Sequence, residues 1–161
     1  MKPKIVLGLS GGVDSALAAR LLQKDYTVTG LYLSIGPEAA GEEDARRVAE
    51  TLGIDFRVMD IAPFAAGYLA GRTPLPCAVC NPLVKFPALL ALADEIGAEQ
   101  VATGHYARVV QNDNRRLLLK GMPANDQSYM LSQLPRTGNQ RIVQKALCHA
   151  RNPGCQQHVH H

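Results

Sequence analysis

The sequence predicts an α/β fold in which a parallel sheet is sandwiched between helices. Three observations carry this. Apolar, β-branched runs alternate along the chain with segments of helical spacing. The run Thr27 to Ser34 is apolar enough to be buried on both faces, as strands of parallel sheets are. Between the first such run and the first helical segment lies a glycine-rich turn, Gly8-Leu9-Ser10-Gly11-Gly12-Val13-Asp14-Ser15, at the strand end where sheets of this Rossmann-like kind hold ligands.

The elements follow in order. Lys4 to Leu9 is the first strand, and Asp14 to Lys24 the first helix, with Val13, Leu17 and Leu21 on one stripe. Thr27 to Ser34 is the second strand, broken by Gly36-Pro37. Glu42 to Leu52 starts acidic, spaces Ala45, Val48, Ala49 and Leu52 helically and ends at Gly53; Ile54 to Asp60 is the third strand. Prolines and glycines between Ala62 and Pro76 predict a loop. A helix then starts near Asn81-Pro82 and stops at Gly97, with Pro87 awkward inside it. Gln100 to Thr103 is the fourth strand, ending in Gly104-His105-Tyr106. Ala107 to Gln111 and Arg115 to Lys120 flank Asn112-Asp113-Asn114 as an antiparallel hairpin, and Asp126 to Leu134 form a short helix. From Pro135 onward the sequence is polar and aperiodic. Residues 1–134 are thus expected as one domain and 135–161 as an irregular tail.

The glycine loop has a direct chemical reading. A helix's first turn presents unpartnered N–H groups and the positive end of the dipole, which together bind phosphate. Gly11 and Gly12 let an anion approach the backbone without a Cβ in the way, and Ser10 and Ser15 add hydroxyls. Asp14, itself anionic, suits a helix cap or a Mg²⁺ ligand beside phosphates. The loop is neither a Walker loop, lacking Gly-Lys-Ser/Thr, nor a G-x-G-x-x-G turn.

Composition excludes several classes. The 161 residues are 47% apolar and 19% charged, an ordinary domain with room for a core, and the net charge of +3 is too small to argue for a polyanionic partner by itself. No apolar run reaches the length of a membrane span and no leader opens the chain, so a cytoplasmic protein without membrane contact is expected. Two of the four cysteines form Cys77-Ala78-Val79-Cys80, a spacing that favours chemistry or metal binding over a disulfide framework.

The pattern Ser-Gly-Gly-x-Asp-Ser resembles the PP-loop of the ATP pyrophosphatase superfamily. Gly71-Arg72-Thr73-Pro74-Leu75-Pro76-Cys77-Ala78-Val79-Cys80-Asn81, followed by Lys85-Phe86, narrows the resemblance to tRNA-specific 2-thiouridylases of the MnmA/TrmU type. Ala102-Thr103-Gly104-His105-Tyr106-Ala107-Arg108, and Leu119-Lys120-Gly121 with Asp126-Gln127-Ser128-Tyr129, agree in order. The resemblance implies an adenine nucleotide alpha hydrolase-like fold with a C-terminal hairpin extension. It also implies that ATP, with Mg²⁺, adenylates the C2 oxygen of a wobble uridine in tRNA, after which a cysteine persulfide supplies sulfur. The implied partners are tRNA and a sulfur donor such as a cysteine desulfurase relay protein; a homodimer is left open.

Carried onto this chain, the resemblance gives the nucleotide Gly8, Leu9, Ser10, Gly11, Gly12, Val13, Asp14, Ser15, Leu33, Gly104 and His105. It gives catalysis to Cys80, Cys77 and Asp14, with Asp14 the Mg²⁺ ligand. Arg72, Lys85, Arg108 and Lys120 suit tRNA phosphates, and Asp126, Gln127 and Ser128 resemble a segment near the target base, although a helix cap explains them nearly as well. Three readings of Cys77 and Cys80 stay open: a catalytic or redox pair, ligands to an iron–sulfur cluster or zinc, and buried structural thiols. Cys80, placed before Asn81-Pro82, is expected at a helix N-terminus that lowers its pKa. The family's second catalytic cysteine sits in Gly-x-Cys-Phe; here Gly154-Cys155 precedes Gln156, and the role is not carried over. Two other functions stay open beside thiolation, a non-catalytic adenine-nucleotide-binding module and a PP-loop enzyme activating another substrate.

Overall fold

The computed structural model describes residues 1–36, 41–62, 79–112, 115–120, 126–133 and 141–143. Strands β1 (Lys4–Gly8), β2 (Thr27–Ser34), β3 (Asp55–Asp60), β4 (Gln100–Thr103) and β7 (Ile142–Val143) form one sheet in the order β3-β2-β1-β4-β7. All its pairings are parallel, with Leu7 opposite Gly30 on one side and Ala102 on the other. A separate antiparallel pair, β5 (Arg108–Asn112) and β6 (Arg115–Leu119), is the expected hairpin.

Period-two alternation along β1 divides the core. Ile5 and Leu7, with Leu9 beyond the strand, pack with Ala18, Ala19 and Leu22 of α1 (Val13–Leu22) and Ala45 and Ala49 of α2 (Glu42–Leu52). Val6, with Leu31 and Val101, packs against Phe86, Leu89, Leu92 and Ala93 of α3 (Phe86–Ile96). A central parallel strand buried on both faces requires such a layer on each side. α2 and α3 end where sequence reading places them, with Gly53 and Gly97 in the left-handed conformation beyond them, whereas α1 ends at Leu22, two residues short of the expected Lys24.

Two local differences from expectation have physical causes. The helix near Pro87 is not uniform: Asn81–Lys85 forms a wider π-turn in which Phe86 N donates to Asn81 O, five residues back. Proline has no N–H for the carbonyl four residues back and its ring crowds that carbonyl, so the helix widens ahead of Pro87. Ile142–Val143 lies in the stretch expected to be irregular, yet pairs with β4, while Val101 N donates to Arg141 O. Two residues are too few for periodicity to reveal; a neighbouring strand decides their conformation. The loop expected over 62–76 falls almost wholly outside the described residues.

Candidate functional site

The chain runs outward from β1 to β2 and β3, then returns to lay β4 on the other side of β1. Beyond the carboxyl ends of β1 and β4 the connections part, which is the switch point where open α/β sheets hold ligands. A cavity of about 510 Å³ opens there. Its base is Gly8, Leu9 and Ser10, with Asp14 and Ser15 from the first turn of α1. Leu31, Leu33 and Ile35, with Ile61 after β3, form an apolar wall. Cys80, Asn81 and Lys85 face it from the helical run before α3, and Thr103, Gly104, His105 and Gln127 complete the rim.

The loop's shape comes from close backbone packing. Gly11 has φ +83°, and a Cβ on it would lie 2.8 Å from Gly41 O and 2.9 Å from Ala45 N, at the start of α2. A Cβ on Gly104 would come within 3.1 Å of Ser15 N, so the end of β4 presses on the first turn of α1. The Ser15 hydroxyl donates to Gly12 O at 2.9 Å and accepts from Ser10 N at 3.2 Å, closing the turn from within. The residue capping α1 is Gly12, and no side chain caps it. The expected capping role for Asp14 is therefore corrected. Its Oδ1 instead accepts from the Tyr106 hydroxyl at 2.5 Å. Tyr106 is fixed in turn by Gln127: Tyr106 N donates to Gln127 Oε1 at 2.9 Å, and Gln127 N to Tyr106 O at 2.8 Å.

On the opposite wall, Val79 and Cys80 are helical and lead directly into the turn Asn81–Lys85; the residues before Val79 lie outside the described residues. His105 Nδ1 and Thr103 Oγ1 are 2.7 Å apart. Burial, with Lys85 as the smaller cause, lowers the His105 pKa to about 4, so the ring is neutral at ordinary pH. Lys85 is half-buried on the cavity wall.

The cavity thus brings together Gly8, Leu9, Ser10, Asp14, Ser15, Leu33, Cys80, Lys85, Gly104, His105 and Gln127 of the residues singled out from sequence. Gly11, Gly12 and Val13 shape the loop without lining it, and Val13 is exposed. Asp126 accepts from Ser128 N and Oγ at 3.0 and 3.1 Å, a local turn that organises the short 3₁₀ helix Ser128–Leu131. Arg108 and Lys120 are exposed on the hairpin, off the cavity wall. Cys77 and Arg72 lie outside the described residues. Among the described residues no group of three or more His, Cys, Asp or Glu is arranged to hold a metal, and no helix is long and apolar enough to cross a membrane.

Sequence reading missed Tyr32, Ile35, Ile61, Asn81, Thr103 and Tyr106. Ile35 and Ile61 follow the ends of β2 and β3, so the strand-end rule could have found them. Asn81 and Tyr106 carry no such signal, because their roles come from partners far along the chain.

The profile described as "tRNA methyl transferase HUP domain" matches residues 3–146. The chain belongs to this HUP-domain family. Among relatives of this HUP domain, the tRNA-specific 2-thiouridylase MnmA of Syntrophotalea carbinolica is 42% identical over 158 residues, covering 86% of this chain and 45% of the relative. The enzyme of the same name from Bartonella quintana is 45% identical over 151 residues, covering 80% and 37%. The chain spans less than half the length of these relatives, whose name is the one the four sequence blocks pointed to. Of solved structures, the U34-tRNA thiolase NcsA from Methanococcus maripaludis with its [4Fe-4S] cluster superposes with TM-score 0.53 at 25% identity, covering 64% of this chain and 38% of NcsA. The NH3-dependent NAD synthetase from Campylobacter jejuni gives TM-score 0.51 at 24% identity, covering 62% and 45%, a likeness of fold alone. The HUP domain has the expected Rossmann-like parallel sheet with flanking helices.

Proposed function

We propose that this HUP domain carries out ATP-dependent thiolation of tRNA, adenylating the C2 oxygen of a wobble uridine and replacing it with sulfur. One observation carries the proposal: the glycine loop and Cys80 lie on the same cavity of about 510 Å³, so an activated base and a sulfur nucleophile can meet there. The named relatives, all 2-thiouridylases, support the substrate class.

The residues divide the work. The uncapped first turn of α1 and the loop N–H groups hold the ATP phosphates, and they stabilise pyrophosphate as it leaves. Leu31, Leu33, Ile35 and Ile61 take the adenine. Asp14 offers one carboxylate beside the phosphates, which fits a Mg²⁺ ion that fills its shell with phosphate oxygens and water. Bound there, the ion would supply charge neutralisation. Lys85 adds a fixed positive charge, and neutral His105 offers a ring hydrogen bond without charge.

The C2 oxygen bonds to the α-phosphorus, pyrophosphate departs, and N3 loses its proton to solvent. The terminal sulfur of a persulfide on Cys80 then bonds to C2, and the C2–O bond to AMP breaks. A second thiol bonds to the Cys80 sulfur, releasing 2-thiouridine and leaving a disulfide. Cys77, three residues earlier, is our candidate for that thiol. A cysteine desulfurase relay protein is the sulfur source, and the setting is cytoplasmic. A cluster on Cys77 and Cys80 would put both thiols to a different use.

The test is mass spectrometry of tRNA incubated with the chain, ATP, Mg²⁺ and a persulfide donor. Sulfur in place of oxygen at the wobble uridine is expected. A methyl group, or no change alongside ATP binding, would overturn the thiolation reading, the latter in favour of a nucleotide-binding module.

A further inference from the structure

One polar atom on the cavity wall is unaccounted for by the chemistry above. Asn81 is 1% exposed and lines the cavity next to Cys80. Its Nδ2 donates to Met130 O at 2.8 Å, whereas its Oδ1 is buried with no hydrogen-bond partner among the described residues. The amide cannot be turned round to relieve this. Met130 O only accepts, so the NH₂ group must face it and Oδ1 must remain the unpaired acceptor. Buried acceptors left unmade are costly and rare, and a native one on a cavity wall marks where a ligand donor belongs.

We infer that Asn81 is a specificity-determining residue whose Oδ1 accepts the N3–H of the target uracil. This rests on the thiolation reading. Two kinds of base N–H could serve, the exocyclic amine of adenine and the ring N–H of the target pyrimidine. Adjacency decides for the second. Asn81 follows Cys80 in the chain, so its Cα is about 3.8 Å from that of the residue proposed to deliver sulfur, whereas the apolar wall suited to adenine is built on β2 and after β3. In uracil, N3–H is bonded directly to C2, the carbon that sulfur attacks. A group beside Cys80 is thus placed to meet N3–H as uridine binds, before adenylation removes that proton.

The chemistry discriminates. Uracil presents a donor at N3 and cytosine presents a lone pair, so cytosine would face Oδ1 acceptor against acceptor. A pocket built around a buried polar partner rejects a base lacking it much more strongly than an apolar pocket can. Asn81 would thereby restrict the site to uridine without touching the reacting oxygen.

The experiment uses the 161-residue chain with saturating Mg·ATP and two anticodon stem-loop RNAs, carrying uridine or 3-deazauridine at the target position. The analogue replaces N3–H by C–H and keeps C2=O. Binding by wild type is expected to favour uridine by at least about tenfold, and in Asn81→Ala the two RNAs should bind within about twofold of each other, with Mg·ATP binding retained. A wild-type protein that binds both RNAs equally overturns the inference whether or not the variant folds. So does a variant that keeps the preference. A preference for uridine lost equally in a Leu33→Ala variant would assign the acceptor to adenine instead and overturn it too. Failure of wild type to bind either RNA, with Mg·ATP still bound, overturns the tRNA reading itself, which separates the two failures.

Discussion

The two walls of the cavity are made in different ways. The wall bearing the glycine loop is backbone: Gly11 packs on Gly41 and Ala45, Gly104 packs on Ser15, and the Ser15 hydroxyl ties the turn to itself. The wall bearing Cys80 is side chain: Asn81 reaches Met130, forty-nine residues on, and Lys85 lies near His105. A wall of backbone presents N–H groups that any phosphate can use, whereas a wall of side chains can distinguish one base from another. Binding and selectivity are therefore expected to separate by mutation.

The largest separation is predicted for Cys80→Ser. Sulfur incorporation measured by mass spectrometry should vanish while nucleotide affinity by calorimetry is unchanged; persistence of thiolation would remove Cys80 from the mechanism. The converse change is Gly11→Ala. It forces an L side chain into φ +83° and against backbone atoms at 2.8 Å, which should cost about 4 kcal/mol of stability and impair nucleotide binding. A melting temperature within a degree or two of wild type would show that the loop is not braced by α2.

His105 sharpens the comparison through pH. Its folded pKa, about 4, lies below its unfolded value of 6.5, so the unfolded chain binds more protons between those values. Its contribution is fully present above pH 6.5 and is lost as pH falls towards 4, on the order of 3 kcal/mol in all. Denaturant unfolding of wild type and His105→Asn at pH 7 and pH 4.5 should show the variant losing less over that interval. Equal losses would mean that the ring is not buried as described. The smallest effect is expected for Tyr106→Phe, which removes the hydroxyl from Asp14. Mg·ATP affinity should weaken roughly threefold to tenfold, and any change confined to RNA binding would contradict a role through Asp14.

The same contrast explains what was legible in the sequence. Thr27–Ser34 and Glu42–Leu52 have the bounds that hydrophobic pattern and glycine stops predict, and the glycine loop forms the turn between β1 and α1 that its residue types predict. The π-turn at Asn81–Lys85 was visible only as an awkward Pro87, and β7 only as two β-branched residues. Asn81 and Tyr106 were illegible because nothing local distinguishes an asparagine held by Met130 O, or a tyrosine reaching ninety-two residues back to Asp14, from ordinary surface polar groups. Cys80 falls on the cavity wall beside the glycine loop, while the segment ahead of Val79, on which the helix-terminus expectation depends, lies outside the described residues.

The packing of Gly11 against the start of α2 has a thermodynamic consequence. A loop that closes on itself through Ser15 and rests against Gly41 has little freedom left to surrender when a ligand arrives, because its ordering was completed during folding. Residues 41 to 45 do not line the cavity, yet under the proposed function their contact with Gly11 would carry part of the entropy of nucleotide capture. Loosening α2 should leave every phosphate donor in place and still slow the encounter, as a phosphate would then have to wait for a receptive shape instead of meeting one.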